Sequence, residues 1–152
     1  GSKWPQKVWP KEKYIDLIHK IIEKYPDYMV GIVAGPHEDF PVIYHDRVNA
    51  YKGKGIKELI QLLDQAALMI SNDNGVMHLA GYLGCPVIGI FGMSDPVQWH
   101  ALYNSGNVVR SNVPCAPCNK LGQMRICGSL DCIRSIPVET VLTKLDDLLL
   151  IS

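Results

Sequence analysis

The chain lacks several features that would each point to a particular class of protein. No apolar run approaches the roughly 20 residues of a membrane-spanning helix. No secretory leader is visible, with its charged start, apolar middle and small-residue cleavage site. Charge of one sign is also missing: Lys plus Arg number 15, as do Asp plus Glu. A neutral chain has no broad positive field for nucleic acid, so no nucleic-acid partner is expected. There is no internal repeat and no low-complexity tract. Cysteine is scarce outside one segment, with Cys85 alone and Cys115, Cys118, Cys127 and Cys132 crowded together. With 152 residues, 47% apolar and 20% charged, the chain suits one ordered domain with a proper core. Gly1-Ser2 resembles a cloning remnant, so the chain is expected to be part of a longer protein.

What is present alternates in type. Trp4-Pro5 and Trp9-Pro10 make an extended lead-in over residues 1–10, because proline fixes φ and pushes its predecessor out of the helical region. Residues 11–25 place Tyr14, Ile15, Ile18, Ile21, Ile22 and Tyr25 at three- and four-residue spacing, which predicts a helix with one apolar stripe. Residues 28–34 (YMVGIVA) read as a strand covered on both faces, and 35–39 as its exit loop. A short strand is expected at 42–44 and a glycine-rich turn at 51–55. Ile56, Leu59, Ile60 and Leu63 share a helical face over 56–65.

Residues 67–99 (ALMISNDNGVMHLAGYLGCPVIGIFGMSDPVQW) are the most informative. A strand over 67–71 leads into Asn72-Asp73-Asn74-Gly75. Asn74-Gly75 alone would suit a hairpin. Val76, Leu79, Ala80 and Leu83 instead keep helical spacing, and Gly84 is placed to end the helix. A strand over 86–91 and an exit loop over 92–99 follow. Val108-Val109 suits a last short strand, residues 112–134 hold the cysteines, and 137–149 reads as a closing helix through Val138, Val141, Leu142, Leu145 and Leu149. Strands alternating with helices predict an α/β, Rossmann-like, three-layer parallel sheet. Its geometry gathers the loops 35–39, 72–75 and 92–99 on one edge, where ligands of such sheets bind.

At the turn after residue 71, free backbone N–H groups begin a helix and suit a phosphate, and Gly75 lets a ligand approach closely. Asp73 repels phosphate but accepts hydrogen bonds from sugar hydroxyls. Asp73 or Asn74 as a plain helix cap is the competing reading. His78, on the first turn, reads by itself as a satisfied structural histidine before a ligand contact.

The run SNDNGVMHLAGYLGCPVIGIFGMSDPVQW resembles the signature of glycosyltransferase family 9, the lipopolysaccharide heptosyltransferases and their relatives, which reads close to S-x-D-T-G-x-x-H-L-A, then G-x-P, then F-G-x-T-D-P. Asp73, Gly75, His78, Leu79, Ala80, Gly84, Pro86, Phe91, Gly92, Asp95 and Pro96 stand in the matching places. Lys7-Val8-Trp9-Pro10 is similar to the family's K-x-W-P opening. Gly35-Pro36-His37-Glu38 is similar to its G-x-x-x-E loop, and the cysteine segment to an ending found in many members. The resemblance implies a GT-B glycosyltransferase of which this chain, over 1–152, is the C-terminal, donor-binding half. It implies bacterial lipopolysaccharide biosynthesis on the cytoplasmic side, with peripheral inner-membrane association through the whole protein. By the same resemblance, Lys7 neutralises the donor diphosphate and Glu38 holds the ribose. Asp73 contacts the transferred sugar, the backbone at Asn74 and Gly75 holds phosphate, Lys54 lies near the base, and His78 completes the donor set. Asn74 departs from the family's usual Thr, which leaves the sugar open. The catalytic base belongs to an N-terminal acceptor domain that this chain lacks, so the chain alone is not expected to turn over. The expected partner is an ADP-heptose-like donor, and catalysis is expected to need no cofactor. A non-catalytic nucleotide- or partner-binding module of the same fold is the alternative.

Cys115-x2-Cys118-x8-Cys127-x4-Cys132 holds enough thiols for a tetrahedral site, zinc foremost. Reduced thiols pinning a loop, or two disulfides in an oxidising compartment, are the other readings. Cys85 suits a small buried hydrophobe.

Overall fold

The computed structural model describes residues 4–39, 41–102, 107–118 and 127–149. A 3-10 turn at Pro5–Lys7 precedes α1 (Lys11–Lys24), β1 (Val30–Ala34), β2 (Val48–Lys52) and α2 (Ile56–Asp64). Then come β3 (Met69–Asn72), α3 (Gly75–Tyr82), β4 (Val87–Phe91), α4 (Pro96–Trp99), β5 (Val108–Arg110), α5 (Asp131–Arg134) and α6 (Val138–Leu149). Every ladder is parallel. β1 pairs with β2, and β4 lies between β3 and β5. Among the described residues the strands expected in one sheet form two, β1–β2 and β3–β4–β5.

The three layers follow from strand parity, since successive side chains leave a strand on opposite faces. Ile88 and Ile90 of β4, Ile70 of β3 and Val109 of β5 face a core built with Trp9, Leu17, Val141 and Leu145. Val87 and Phe91 of β4, Met69 and Val108 face a second core with Leu59, Leu63, Met77 and Ala80. Helices α1 and α6 therefore cover one face, and α2 and α3 the other. β4 is buried at every position, as expected of the central strand.

Several expectations are corrected. Residues 42–44 form no strand. The strand in this region is β2, whose sequence VNAYK carries no apolar run because it pairs on one side only and stays largely uncovered. It takes in Tyr51 and Lys52, which the sequence assigns to a turn; only Gly53, at φ +66°, turns as expected. β1 is half-covered rather than sealed on both faces. On α2, Leu59 and Leu63 are buried but Ile56 and Ile60 are exposed. On α1 the deepest residues are Leu17 and Ile18, and Leu17 lies outside the expected stripe. The exit loop 92–99 contains α4, capped by Asp95, whose Oδ1 accepts the Val97 N–H at 3.0 Å. The helix at 75–82, its glycine stop at Gly84 (φ +80°) and the closing helix appear as expected. Cys85 is buried, also as expected.

Two ties hold α1 in place. Arg47 reaches the open end of the helix, donating to the carbonyls of Ile22 (2.6 Å), Tyr25 (2.9 Å), Pro26 (2.9 Å) and Tyr28 (3.3 Å). A guanidinium there satisfies orphan carbonyls and complements the helix dipole. Arg47→Ala is expected to cost about 2 kcal/mol, read as a lowered urea midpoint at unchanged slope. Between α1 and α6, Lys24 donates to Asp146 Oδ2 at 2.6 Å and the Tyr25 hydroxyl donates to Oδ1. Partial burial pulls the Asp146 carboxyl upward, but the Lys24 and Tyr25 hydrogen bonds outweigh it and hold it below its usual range. A depressed carboxyl stabilises the fold above its unfolded value, near 4, and that stability is lost as pH falls through the lower folded value. Asp146→Asn is therefore expected to flatten the acid limb of the urea midpoint measured against pH.

Candidate functional site

Helix α3 begins at Gly75 with Asn74 as its N-cap, whose Oδ1 accepts the Met77 N–H at 3.0 Å and the Ser71 hydroxyl at 3.4 Å. Of the two capping readings, Asn74 takes the role and Asp73 is left for other work. Asn at this position accounts for itself locally, because its short amide closes the turn as a Thr hydroxyl would. The next amides, Gly75 and Val76, have no intrahelical acceptor, as at any helix start. Nor do they find one elsewhere among the described residues. A Cβ built on Gly75 would meet nothing within 4 Å. Two donor groups without a described acceptor thus lie at a turn with open space beside Gly75.

Asp73 is 5% exposed, and its Oδ2 accepts from Lys7 Nζ at 2.6 Å. Lys7 arrives on the Pro5–Lys7 turn, so it is an ordered, mostly buried cation rather than a solvated surface lysine. The His78 ring is half-exposed, with Nε2 3.9 Å from Asp73 Oδ1. It makes no hydrogen bond among the described residues, so it is not a satisfied core histidine. Lys7, Asp73, Gly75 and His78 are thus gathered at the carboxyl end of β3.

Glu38 and Lys54 lie on loops at the carboxyl ends of β1 and β2. The Glu38 carboxylate accepts the Gly35 N–H at 2.9 Å, which holds it below the usual carboxylate range. Lys54 pairs with Glu58 at 3.1 Å, while Glu58 also accepts the Gly55 N–H and closes the start of α2. The two loops adjoin: Gly53 donates to Ala34 at 2.9 Å, and a Cβ on Gly53 would lie 3.4 Å from Pro36. Lys11 donates to Asp39 at 2.9 Å and ties the Lys7 segment to the Glu38 loop.

Among the described residues none of the four crowded cysteines is in a disulfide; Cys132 is buried, Cys118 half-buried, and Cys115 and Cys127 exposed. Burial, followed by the nearness of Cys118, Cys127 and Cys115, pushes the Cys132 thiol up to about 11. Among the described residues no three His, Cys, Asp or Glu side chains are arranged to hold an ion. The thiols share a neighbourhood without forming a closed shell.

Residues 1–125 match the profile of glycosyltransferase family 9 (heptosyltransferase). The chain belongs to this family. Lipooligosaccharide heptosyltransferase 2 of Haemophilus influenzae is 26% identical over 117 residues, covering 70% of this chain and 33% of that protein. Lipopolysaccharide heptosyltransferase 1 of Campylobacter coli is 30% identical over 101 residues, covering 60% and 30%. Among solved structures, E. coli ADP-heptose LPS heptosyltransferase II superposes with a TM-score of 0.74 at 21% identity, over 99% of this chain and 44% of that one. A family 9 glycosyltransferase from Veillonella parvula gives 0.76 at 22%, over 100% and 44%. TibC, a dodecameric iron-containing heptosyltransferase solved with ADP-D-β-D-heptose, gives 0.75 at 18%, over 97% and 43%. This family 9 chain has the Rossmann-like fold of GT-B glycosyltransferases. It spans about a third of the length of the curated relatives it matches. Among its described residues no helix is long and apolar enough to cross a membrane.

Sequence reasoning missed the roles of Trp9 and Asn72, whose hydrogen bond joins the segments that carry Lys7 and Asp73. The family-like K-x-W-P and S-x-D stretches contain both residues. Only the three-dimensional contact between these stretches reveals what they do.

Proposed function

We propose that this chain is the nucleotide-sugar binding domain of a glycosyltransferase. The full enzyme moves a sugar, heptose foremost, from a nucleotide diphosphate donor to a lipopolysaccharide core or related glycan. The observation that carries this reading is the Lys7–Asp73 pair beside the unpaired amides of Gly75 and Val76. Cleavage of the glycosidic bond leaves extra negative charge on the departing nucleoside diphosphate. Amides and an ammonium already aimed at that charge stabilise the transition state without reorganising. Asp73, acceptor-only when ionised, holds Lys7 in place and can accept sugar hydroxyls. Glu38 holds the ribose, Lys54 lies beside the base, and His78 closes the sugar side.

The acceptor and the catalytic base belong to a further domain, so this chain binds donor without turnover. The whole enzyme works at the cytoplasmic face of the inner membrane. Cys115, Cys118, Cys127 and Cys132 are thiols of the kind that hold a structural zinc or iron. Such an ion would cross-link the segment that ends in α5. No step of the transfer passes through it.

Calorimetric titration with ADP, UDP and GDP, alongside amide NMR, tests the reading. One nucleotide is expected to bind saturably and to shift the amides of residues 73–78. Binding by none of them, or shifts confined to other parts of the chain, would refute it. Metal analysis of protein purified without chelator tests the thiol site, and a metal-free, fully folded sample would remove it.

A further inference from the structure

Lys7 and Asp73 lie 66 residues apart in sequence, so something must register the two segments against each other. A second bond joins the same segments. The Trp9 backbone N–H donates to Asn72 Oδ1 at 3.1 Å. Val8 between them is extended, so the chain leaves the Pro5–Lys7 turn directly toward Trp9. Trp9 is itself fixed: it is fully buried, its indole N–H donates to the Ile136 carbonyl at 3.1 Å, and its ring stands edge-on to Tyr14 at 4.9 Å. Asn72 is 5% exposed. Its side chain is held from the Trp9 side.

We infer that Asn72 is a positioning residue for the donor site, holding the Lys7 segment in register with Asp73 through the Trp9 N–H. The inference rests on the donor-site reading for its function, and on the two inter-segment bonds for its geometry. The residue type follows from the place. Leu would leave a buried N–H without an acceptor. Asp would put a second negative charge beside Asp73. Asn supplies a neutral acceptor on a short arm. Asn72 contacts neither the open space at Gly75 nor solvent, and acts only through Lys7 and Asp73.

A purely structural Asn72 and a positioning Asn72 differ in coupling. In the otherwise unchanged chain, Lys7→Met is expected to weaken ADP binding about tenfold. In an Asn72→Ala background the same substitution is expected to change affinity less than about twofold, because Lys7 is already out of register. An equal, multiplicative loss in both backgrounds would overturn the inference. A ligand-free arm uses Lys7→Met and Asp73→Asn in a double-mutant cycle read by urea midpoint. The midpoint shifts are expected to be non-additive in the parent chain and additive with Asn72→Ala; non-additivity that persists also overturns the inference. If ADP binds nowhere while the urea cycle behaves as expected, the donor reading fails and the register role stands. Should Asn72→Ala not fold, Asn72→Ser keeps a small polar side chain but draws the acceptor back from the Trp9 N–H. It is expected to reduce the coupling part-way, and full retention of coupling counts against the inference.

Discussion

Lys7→Met is expected to lower folding stability by about 3 kcal/mol and ADP affinity about tenfold. The stability loss follows from burial. Asp73 is 5% exposed and its close cationic partner is Lys7, at 2.6 Å. Methionine matches the lysine stem in length and apolar character, so packing along the stem is kept. What remains is a buried carboxylate without its ammonium, which costs far more than the intact pair contributes. Asp73→Asn is expected to be milder. It removes the carboxylate that needs compensation, and Lys7, at 19% exposed, can turn toward water. Urea denaturation of the two variants gives the order directly. A Lys7→Met protein as stable as its parent would mean that the ion pair is not formed in solution.

Gly92→Ala is expected to cost about 3 kcal/mol and to weaken nucleotide binding as well. A Cβ at Gly92 would stand 2.3 Å from the Gln6 carbonyl oxygen and 3.0 Å from Ile133 Cβ. Gln6 O is backbone, in the turn that carries Lys7, so no side-chain rotation relieves the clash. The Pro5–Lys7 turn must lift from the end of β4, and Lys7 moves with it. Cys132 Sγ lies 3.4 Å from the same point, so the segment holding the thiols is packed under the same turn. Gly75→Ala makes the contrast. Its Cβ meets no protein atom within 4 Å, and the residue is helical without a positive φ. Stability is therefore expected to be unchanged or slightly raised. ADP affinity is nonetheless expected to fall, because the methyl group enters the space assigned to phosphate. The pair separates a glycine required by the fold from one required by a ligand, and thermal unfolding with ADP calorimetry reads both.

The α/β architecture was legible because its central elements carry strong local signals. β4 is one continuous apolar run, and α3 is bracketed by Asn74 and Gly84. The edge strand β2 was not legible, because a strand paired on one side and open to solvent needs no apolar run. α5 was hidden in the cysteine segment, where the spacing of thiols masks four residues of helix. Leu17, three residues after Tyr14 and four before Ile21, belongs to the same face of α1 by spacing, although the expected stripe omits it. Of the candidate site residues, Lys7, Asp73, Gly75 and His78 lie together at the carboxyl end of β3. Glu38 and Lys54 hold positions on adjoining loops while bonded within their own turns. The Lys7–Asp73 contact and the Trp9–Asn72 bond join distant segments, and no periodicity along the chain encodes such pairs. The arrangement of the thiols was equally out of reach: spacing counts ligands but does not say whether the backbone brings them to one point.

A crystal structure of this chain with ADP is the most direct measurement of whether peptide amides and Lys7 form a diphosphate site. The diphosphate is expected within hydrogen-bond distance of the Gly75 and Val76 amides, with Lys7 Nζ shared between it and Asp73 and the ribose against Glu38. Nucleotide bound elsewhere, with the space over Gly75 unfilled and the Lys7–Asp73 pair undisturbed, would contradict it.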